Sequence, residues 1–141
     1  MKSKEITKQI IECFKRGNKV ICAGNGGSLS DCAHFAAEFV SINQSVTVLN
    51  DPVKITAIGN DYGFEKIFVM QLDNLLEDGD IFIGLSSSGK SKNINLALTH
   101  AKLLTDWIID FPRKGNNTQE VQNYQYKLLH DIYLAVKEYF K

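Results

Sequence analysis

The sequence is poor in proline, which interrupts regular structure, and in cysteine, which can cross-link a chain. Its 141 residues include two prolines and three cysteines, an odd number with no C-x-x-C spacing. Cys13, Cys22 and Cys32 lie in apolar surroundings, so we interpret them as buried free thiols rather than as a disulfide framework or a metal site. Free thiols suit a reducing compartment, and we therefore expect a cytoplasmic protein.

Charge of one sign and long hydrophobic runs are also missing. Sixteen basic and sixteen acidic side chains leave no net charge, whereas a nucleic-acid-binding surface usually needs a basic face. No apolar run approaches the ~20 residues that span a bilayer. Residues 1–4 lead directly into a polar amphipathic segment, so we expect no signal peptide. Nucleic-acid and membrane partners are therefore not expected.

Short apolar segments alternate with helical patterns along the chain. The predicted strands are residues 19–23, 45–49, 81–85 and 107–111. The predicted helices are residues 4–16, 29–41, 52–58, 64–76, 93–104 and 118–139. Asn117 and Glu120 are spaced as a capping box for the last helix. This alternation is typical of a parallel sheet covered on both faces, and it predicts one α/β domain over residues 1–141.

The C-terminal helix is apolar on almost every face. Val121, Ile132 and Val136 belong to one stripe, and Tyr133 and Phe140 extend the apolar character to other faces. A small chain buries such a helix most easily against a second subunit. The pattern favours a homo-oligomer over the alternative, a wide core face within the chain.

Two strands end in Gly/Ser loops that lead into helices, GNGGS at 24–28 and SSSGKS at 86–91. Glycines let backbone N–H groups approach a ligand, and the following helix N-terminus favours an anion. Two such loops on successive units favour a phosphorylated ligand over simple tight turns. Residues 84–91 also fit the nucleotide-binding pattern G-x-x-x-x-G-K-[ST]. We reject that interpretation because Gly84 lies inside a strand and only one further strand follows.

Candidate proton-transfer groups lie on two helices. His34 and Glu38 share a helix face and suit a metal, proton transfer or a plain surface ion pair. His130 lies in the C-terminal helix, where an isolated histidine is more often a core residue. The spacing of these residues leaves the alternatives open.

Three segments together closely resemble sugar isomerase (SIS) domains. They are AGNGGSLSDCAHFAAEFV (23–40), ITAIGNDYGFEKIF (55–68) and GDIFIGLSSSGKSKNI (79–94), and NNTQEVQNYQYKLLH (116–130) is similar to the family's last helix. Within the superfamily they resemble the phosphoheptose isomerases, which convert sedoheptulose 7-phosphate to D-glycero-D-manno-heptose 7-phosphate. The resemblance implies a three-layer fold with a parallel sheet of flavodoxin-like order, flanking helices and a long C-terminal helix.

The resemblance also implies roles for individual residues. Glu38 would be the catalytic base and His130 the acid of an aldose–ketose isomerase. A zinc ion, one per subunit, would be held by His34, Glu38, Gln122 and His130. Substrate contacts are implied for Asn25, Gly26, Gly27, Ser28, Asn60, Asp61, Ser86, Ser87, Ser88, Ser91 and Gln122. The family forms homotetramers with active sites at subunit interfaces, which agrees with the apolar last helix.

The chain departs from the family pattern in four places. Glu120 stands where the family has Arg, and a basic loop is shortened between Val40 and Ser45. A strand and Gly-rich loop expected between Lys102 and Leu103 are missing, as is an N-terminal helix. Because the missing strand would lie between the last two strands found here, we expect the 107–111 strand to lack its neighbour.

A non-catalytic phosphosugar-binding regulatory protein is the alternative function. Such relatives keep the serine loops and lose the glutamate and the histidine. This chain has both Glu38 and His130, which favours the enzyme.

Overall fold

The computed structural model describes residues 1–141. Its regular elements are four strands, six α-helices and one 3-10 turn at Phe64–Lys66. In chain order they are α1 (Ser3–Lys15), β1 (Val20–Ala23), α2 (Gly27–Val40), β2 (Val46–Val48), α3 (Pro52–Tyr62), α4 (Val69–Leu75), β3 (Ile81–Gly84), α5 (Lys92–Ala101), β4 (Trp107–Asp110) and α6 (Thr118–Tyr139).

The sheet is parallel throughout and has the order β2-β1-β3-β4. This confirms the α/β class and the flavodoxin-like order. Helices cover both faces because alternate strand residues point to opposite sides. Cys22 and Ile83 pack with α1, α2 and α6 on one face, whereas Ile21 and Phe82 pack with α4 and α5 on the other. The carboxyl ends of β1 and β3 lead into the two Gly/Ser loops.

The last strand has a neighbour, contrary to expectation. β4 pairs directly with β3, in a register that runs from Ile81 opposite Trp107 to Gly84 opposite Asp110. The connection from α5 is long enough to return the chain to the free edge of β3. There Thr105 donates its hydroxyl to the Asp80 carbonyl at 2.7 Å and fixes the start of the strand. The expectation of an orphaned strand was therefore wrong.

Two helix predictions also need correction. The segment 64–76 is interrupted between its 3-10 turn and α4, because the chain bends as it enters the core at Ile67 and Phe68. α3 continues to Tyr62, four residues past the predicted end. None of its residues is fully buried, so it lies on the surface of the domain.

The N-terminus of α6 is capped as predicted. Asn117 Oδ1 accepts from the Glu120 backbone N–H at 2.9 Å, and Glu120 Oε2 accepts from the Asn116 N–H at 2.7 Å. Both carboxylate and amide thus satisfy backbone donors around the helix start. Glu120, which replaces the arginine of the family pattern, has this local structural role.

The apolar surface of α6 is divided between the chain's own core and the exterior. Leu129, Ile132 and Val136 are buried against α1 and α2. Tyr126 and Leu134 remain 44% and 47% exposed. No helix of the protein has the length and apolar character needed to cross a membrane.

Candidate active site

The serine loop, residues 86–91, is ordered by its own hydroxyl groups. Ser86 is buried, and its Oγ lies 3.1 Å from Ser91 Oγ and accepts from the Gly89 N–H at 3.0 Å. Ser88 Oγ accepts from the Lys90 N–H at 3.0 Å. Because Ser91 is the residue that precedes α5, hydroxyls and helix N–H groups converge at this point. Such an arrangement suits the oxygens of a phosphate.

A reciprocal amide pair joins the first turn of α5, which follows the serine loop, to the GNGGS loop. Asn25 Nδ2 donates to Asn93 Oδ1 at 2.9 Å, and Asn93 Nδ2 donates to Asn25 Oδ1 at 3.0 Å. Asn93 is 3% exposed and therefore holds the Asn25 amide in one orientation. A cavity of about 470 Å³ opens here, lined by Asn25, Gly63, Phe64, Glu65, Ser91, Lys92 and Asn93.

The remaining substrate residues implied by the sequence lie around this edge in different environments. Ser28 is buried, whereas Ser87 is half-buried in its loop. Asn60 and Asp61 are exposed near the end of α3, where Asn60 Nδ2 donates to Asp61 Oδ1 at 2.9 Å. Gly26 has φ +55°, a conformation that favours glycine.

Gly27 begins α2 under the side chain of Gln122. A Cβ on Gly27 would lie 2.7 Å from Gln122 Nε2. A side chain at this position would displace the Gln122 amide, and α6 therefore starts beside the start of α2.

The predicted acid–base residues meet farther along the same two helices. His130 Nδ1 lies 2.7 Å from Glu38 Oε2. An ionised carboxylate can only accept, so the Nδ1 proton is donated to Glu38. Glu38 is 12% exposed and His130 is 44% exposed. The imidazole Nε2 is thus left for another partner.

His34 completes a polar row on the exposed side of α2. Its Nε2 lies 3.7 Å from Glu38 Oε1 and 3.5 Å from the Tyr126 hydroxyl. One turn earlier, burial raises the pKa of the Asp31 carboxyl, and the nearby His34 partly opposes that increase. Asp31 and Tyr126 had no predicted role.

The two halves of the site are far apart within one chain. Glu38 follows Gly27 by eleven residues of α2, which corresponds to about 16 Å along the helix axis. α2 runs back along the sheet from its carboxyl edge, so Glu38 and His130 lie away from the serine loop. Although Glu38 belongs to the helix that follows the GNGGS loop, it therefore lies at the far end of that helix from the loop.

The four implied zinc ligands do not converge in a single chain. His34, Glu38 and His130 lie together, but the Gln122 amide lies over Gly27, at the other end of α2. No three His, Cys, Asp or Glu side chains are arranged to hold a metal ion. The residues of one chain thus do not fit the implied set.

Comparison with known proteins agrees with the fold. The sequence profile of the family described as SIS domain matches residues 3–109. A phosphoheptose isomerase of Campylobacter concisus is 32% identical over 157 aligned positions, which cover 95% of this chain and 83% of the relative. The chain belongs to the SIS domain family, among the phosphoheptose isomerases.

Two other phosphoheptose isomerases illustrate the similarity, one by sequence and one by structure. One from Trichlorobacter lovleyi is 46% identical over 105 positions, which cover 70% of this chain and 54% of that relative. This SIS domain therefore spans about half the length of that protein. The structure of a phosphoheptose isomerase from Neisseria gonorrhoeae superposes with a TM-score of 0.86 at 28% identity, over 96% of this chain and 85% of the other.

The alignment lengths agree with the shortening noticed in the sequence. The 157 positions aligned with the Campylobacter concisus protein include only 95% of these 141 residues. That relative therefore has residues with no counterpart in this SIS domain. In this chain β4 adjoins β3 directly.

Two residues at the site were missed by sequence reasoning. Asn93 was passed over as an ordinary helix residue, although an amide immediately after a Gly/Ser loop was a usable signal. Arg113 follows β4 in the sequence, and only the strand pairing brings it to the serine loop.

Proposed function

We propose that the protein is a phosphoheptose isomerase, converting sedoheptulose 7-phosphate to D-glycero-D-manno-heptose 7-phosphate. The observation that carries this proposal is the 2.7 Å contact between Glu38 and His130. A regulatory sugar-phosphate protein would have no need for a carboxylate paired with an imidazole. The names of the relatives in the comparisons support the same substrate.

Substrate binding begins with the phosphate at the serine loop. Ser86, Ser88 and Ser91 supply hydroxyls, and the N-terminus of α5 supplies backbone donors with a favourable dipole. Asn25, held by Asn93, and the exposed Asn60–Asp61 pair would contact the sugar hydroxyls. The cavity lined by Asn25, Phe64 and Ser91 would accommodate the sugar.

Catalysis moves a proton between C1 and C2 of the open-chain sugar. Glu38 Oε1, which is not bonded to His130, removes a proton from C1 while the protonated imidazole donates from Nε2 to the C2 carbonyl oxygen. The product is an enediol. Glu38 then returns the proton to C2, and the imidazole recovers its proton from the C1 hydroxyl, which leaves the aldehyde.

The active site is composed of two subunits in this proposal. Glu38, with His130 beside it, lies about 16 Å along α2 from Gly27 in its own chain, and an extended seven-carbon sugar is shorter than that. A second copy would bring its Glu38 and His130 to the serine loop. The exposed Tyr126 and Leu134 on the same side of α6 supply apolar surface for this contact. We propose the homotetramer that the family resemblance implies.

Zinc remains a proposal that needs its own measurement. Gln122 is too far along α6 for one chain to supply all four ligands, so the proton transfers above are assigned without a metal. Metal analysis of the purified protein, with Glu38→Gln as the comparison, tests whether zinc binds. We also propose a cytoplasmic location, because three buried free thiols suit a reducing compartment.

The deciding experiment is turnover of sedoheptulose 7-phosphate by the purified protein, with and without added zinc. We expect formation of the aldoheptose phosphate. Ser86→Ala/Ser88→Ala should raise KM or abolish binding, whereas Ser45→Ala, at an exposed serine before β2, should change neither. Binding of the sugar phosphate without turnover would favour the regulatory alternative.

A further inference from the structure

The guanidinium of Arg113 lies against the serine loop. Its Nη1 lies 3.4 Å from the Ser86 carbonyl oxygen, to which it donates. A Cβ on Gly89 would lie 3.0 Å from Arg113 Nε and 3.1 Å from its Cζ. Gly89 also has φ +71°. The guanidinium thus packs against the loop at Gly89, where a side chain would have to displace it and would also strain the backbone.

Asp110 fixes the guanidinium in this position. Arg113 Nη1 and Nη2 donate to the two Asp110 carboxylate oxygens at 2.8 and 3.1 Å. This hydrogen bonding raises the pKa of Arg113 and outweighs the lowering by burial, so the group stays charged. A bidentate pair of this kind restricts orientation more than a single contact would.

The pairing of β4 with β3 creates this arrangement. Asp110 lies opposite Gly84, the residue at which β3 ends and from which the chain enters the serine loop. Any strand inserted between β3 and β4 would move Asp110 and Arg113 one strand away. The two lysines of the region, Lys90 and Lys92, are exposed and donate no side-chain hydrogen bond to the loop.

We propose that Arg113 is a positioning residue for phosphate binding, with Asp110 as its anchor. By holding the Ser86 carbonyl and packing on Gly89, it keeps the loop in the shape that directs the Ser86 and Ser91 hydroxyls to one point. The inference rests on the proposed phosphate role of the loop. It adds a residue that acts through the loop rather than by touching the reacting carbons.

The test measures binding of inorganic phosphate to the full chain by calorimetry, together with KM and kcat for sedoheptulose 7-phosphate. Arg113→Met should raise the Kd for phosphate and the KM about tenfold to hundredfold, the range for a lost charge-assisted interaction, and change kcat less than about twofold. Arg16→Met is the matched control. Arg16 also donates to a backbone carbonyl, that of Gly79, but this carbonyl lies before the start of β3, at the end of the sheet opposite the serine loop. The loss of the Arg16 guanidinium should therefore leave phosphate binding unchanged.

Asp110→Asn separates positioning from simple charge. If Arg113 acts through its orientation, this substitution weakens phosphate binding, whereas a guanidinium acting only as a charge would bind phosphate more tightly once its carboxylate partner is neutralised. Arg113→Lys keeps the charge without the planar fork and should lie between the wild type and Arg113→Met. It also provides a folded variant if the methionine substitution prevents folding.

Unchanged phosphate affinity in Arg113→Met or Arg113→Lys would overturn the inference, as would tighter binding by Asp110→Asn or no phosphate binding by the wild type. Phosphate binding that depends on Arg113, in a protein that does not turn over the heptose phosphate, would uphold the inference and remove the proposed function.

Discussion

Glu38 and His130 are 92 positions apart in the sequence and 2.7 Å apart in the structure. The contact joins the last turns of α2 to the middle of α6. It results from the packing of these two helices side by side, with Gln122 over Gly27 at one end and His130 beside Glu38 at the other. In the proposed mechanism this pair would supply a base and an acid at one place, remote from the serine loop of the same chain.

The first prediction concerns the base. Glu38→Gln nearly preserves shape but removes the basicity needed to take a carbon-bound proton. We expect kcat to fall roughly 10²- to 10⁴-fold with little change in KM, as for other acid–base groups. His130→Ala should lose a similar amount, and the double variant little more, because both residues serve one proton-transfer sequence. Glu12→Gln, on the exposed side of α1, is the control. Near-normal turnover by Glu38→Gln would refute the mechanism.

The second prediction tests whether two subunits form each site. Glu38→Gln subunits retain an intact serine loop, and Ser86→Ala/Ser91→Ala subunits retain an intact Glu38. When the two inactive variants are unfolded and refolded together, random assembly should restore about a quarter of wild-type activity, since each site then draws its halves independently. Refolding each variant alone is the control. No recovery from a mixture that has assembled would show that each site belongs to one chain.

The third prediction concerns oligomeric state. We propose an assembly of four chains, supported by the exposed apolar residues of α6 and by the separation of Glu38 from the serine loop within one chain. Sedimentation equilibrium should therefore give a mass near four times the 15.8 kDa of the chain. Leu134→Asp places a charge on the exposed side of α6 and should weaken assembly, whereas Lys127→Asp, on a solvated part of the same helix, should not. A stable monomer with full activity would contradict both the assembly and the shared site.

The fourth prediction concerns Asp80, which is 1% exposed at the start of β3. Burial raises its pKa, but hydrogen bonds from Lys19, Asn18 and the Glu77 backbone outweigh burial and hold the pKa below the ordinary 3.8. Since the folded pKa lies below the unfolded one, the stabilisation is complete above about pH 4 and is lost as the pH falls through the folded value.

Asp80→Asn should therefore lower the free energy of unfolding at pH 7 by about 1.5–3 kcal/mol. The difference from the wild type should shrink below about pH 4, where Asp80 becomes protonated. Urea unfolding at several pH values measures both effects. Asp78→Asn, at the exposed neighbouring turn, is the control, and a difference that grows in acid would disprove the assigned direction.

The fifth prediction concerns the thiols. All three cysteines are free and buried, as predicted. Burial raises the pKa of Cys13 to about 11. The pKa of Cys32 is raised mainly by a hydrogen bond with Cys22 and then by burial. Thiolates are the reactive form, so iodoacetamide at pH 8 should modify the folded protein very slowly and all three cysteines rapidly in urea. Fast alkylation of the folded protein would show that this core opens readily.

The local features of this protein can be predicted from its amino-acid sequence. Apolar runs such as residues 19–23 and 81–85 specify strands because they are buried on both faces. The Gly/Ser loops and the Asn117–Glu120 cap could be predicted because backbone conformation and capping depend on residues close in sequence. The resemblance to phosphoheptose isomerases rested on the same local strings, and it named Glu38 and His130 without showing that they meet.

Relationships between distant parts of the chain follow only from how its elements pack in three dimensions. The pairing of β4 with β3 was predicted wrongly, because strand order is set by which edges remain free after the whole sheet forms. That pairing brings Arg113 to Gly89, and side-by-side packing of α2 and α6 takes Glu38 away from the serine loop while joining it to His130. Such relationships arise from burial shared between remote segments, and no local pattern of residues encodes them.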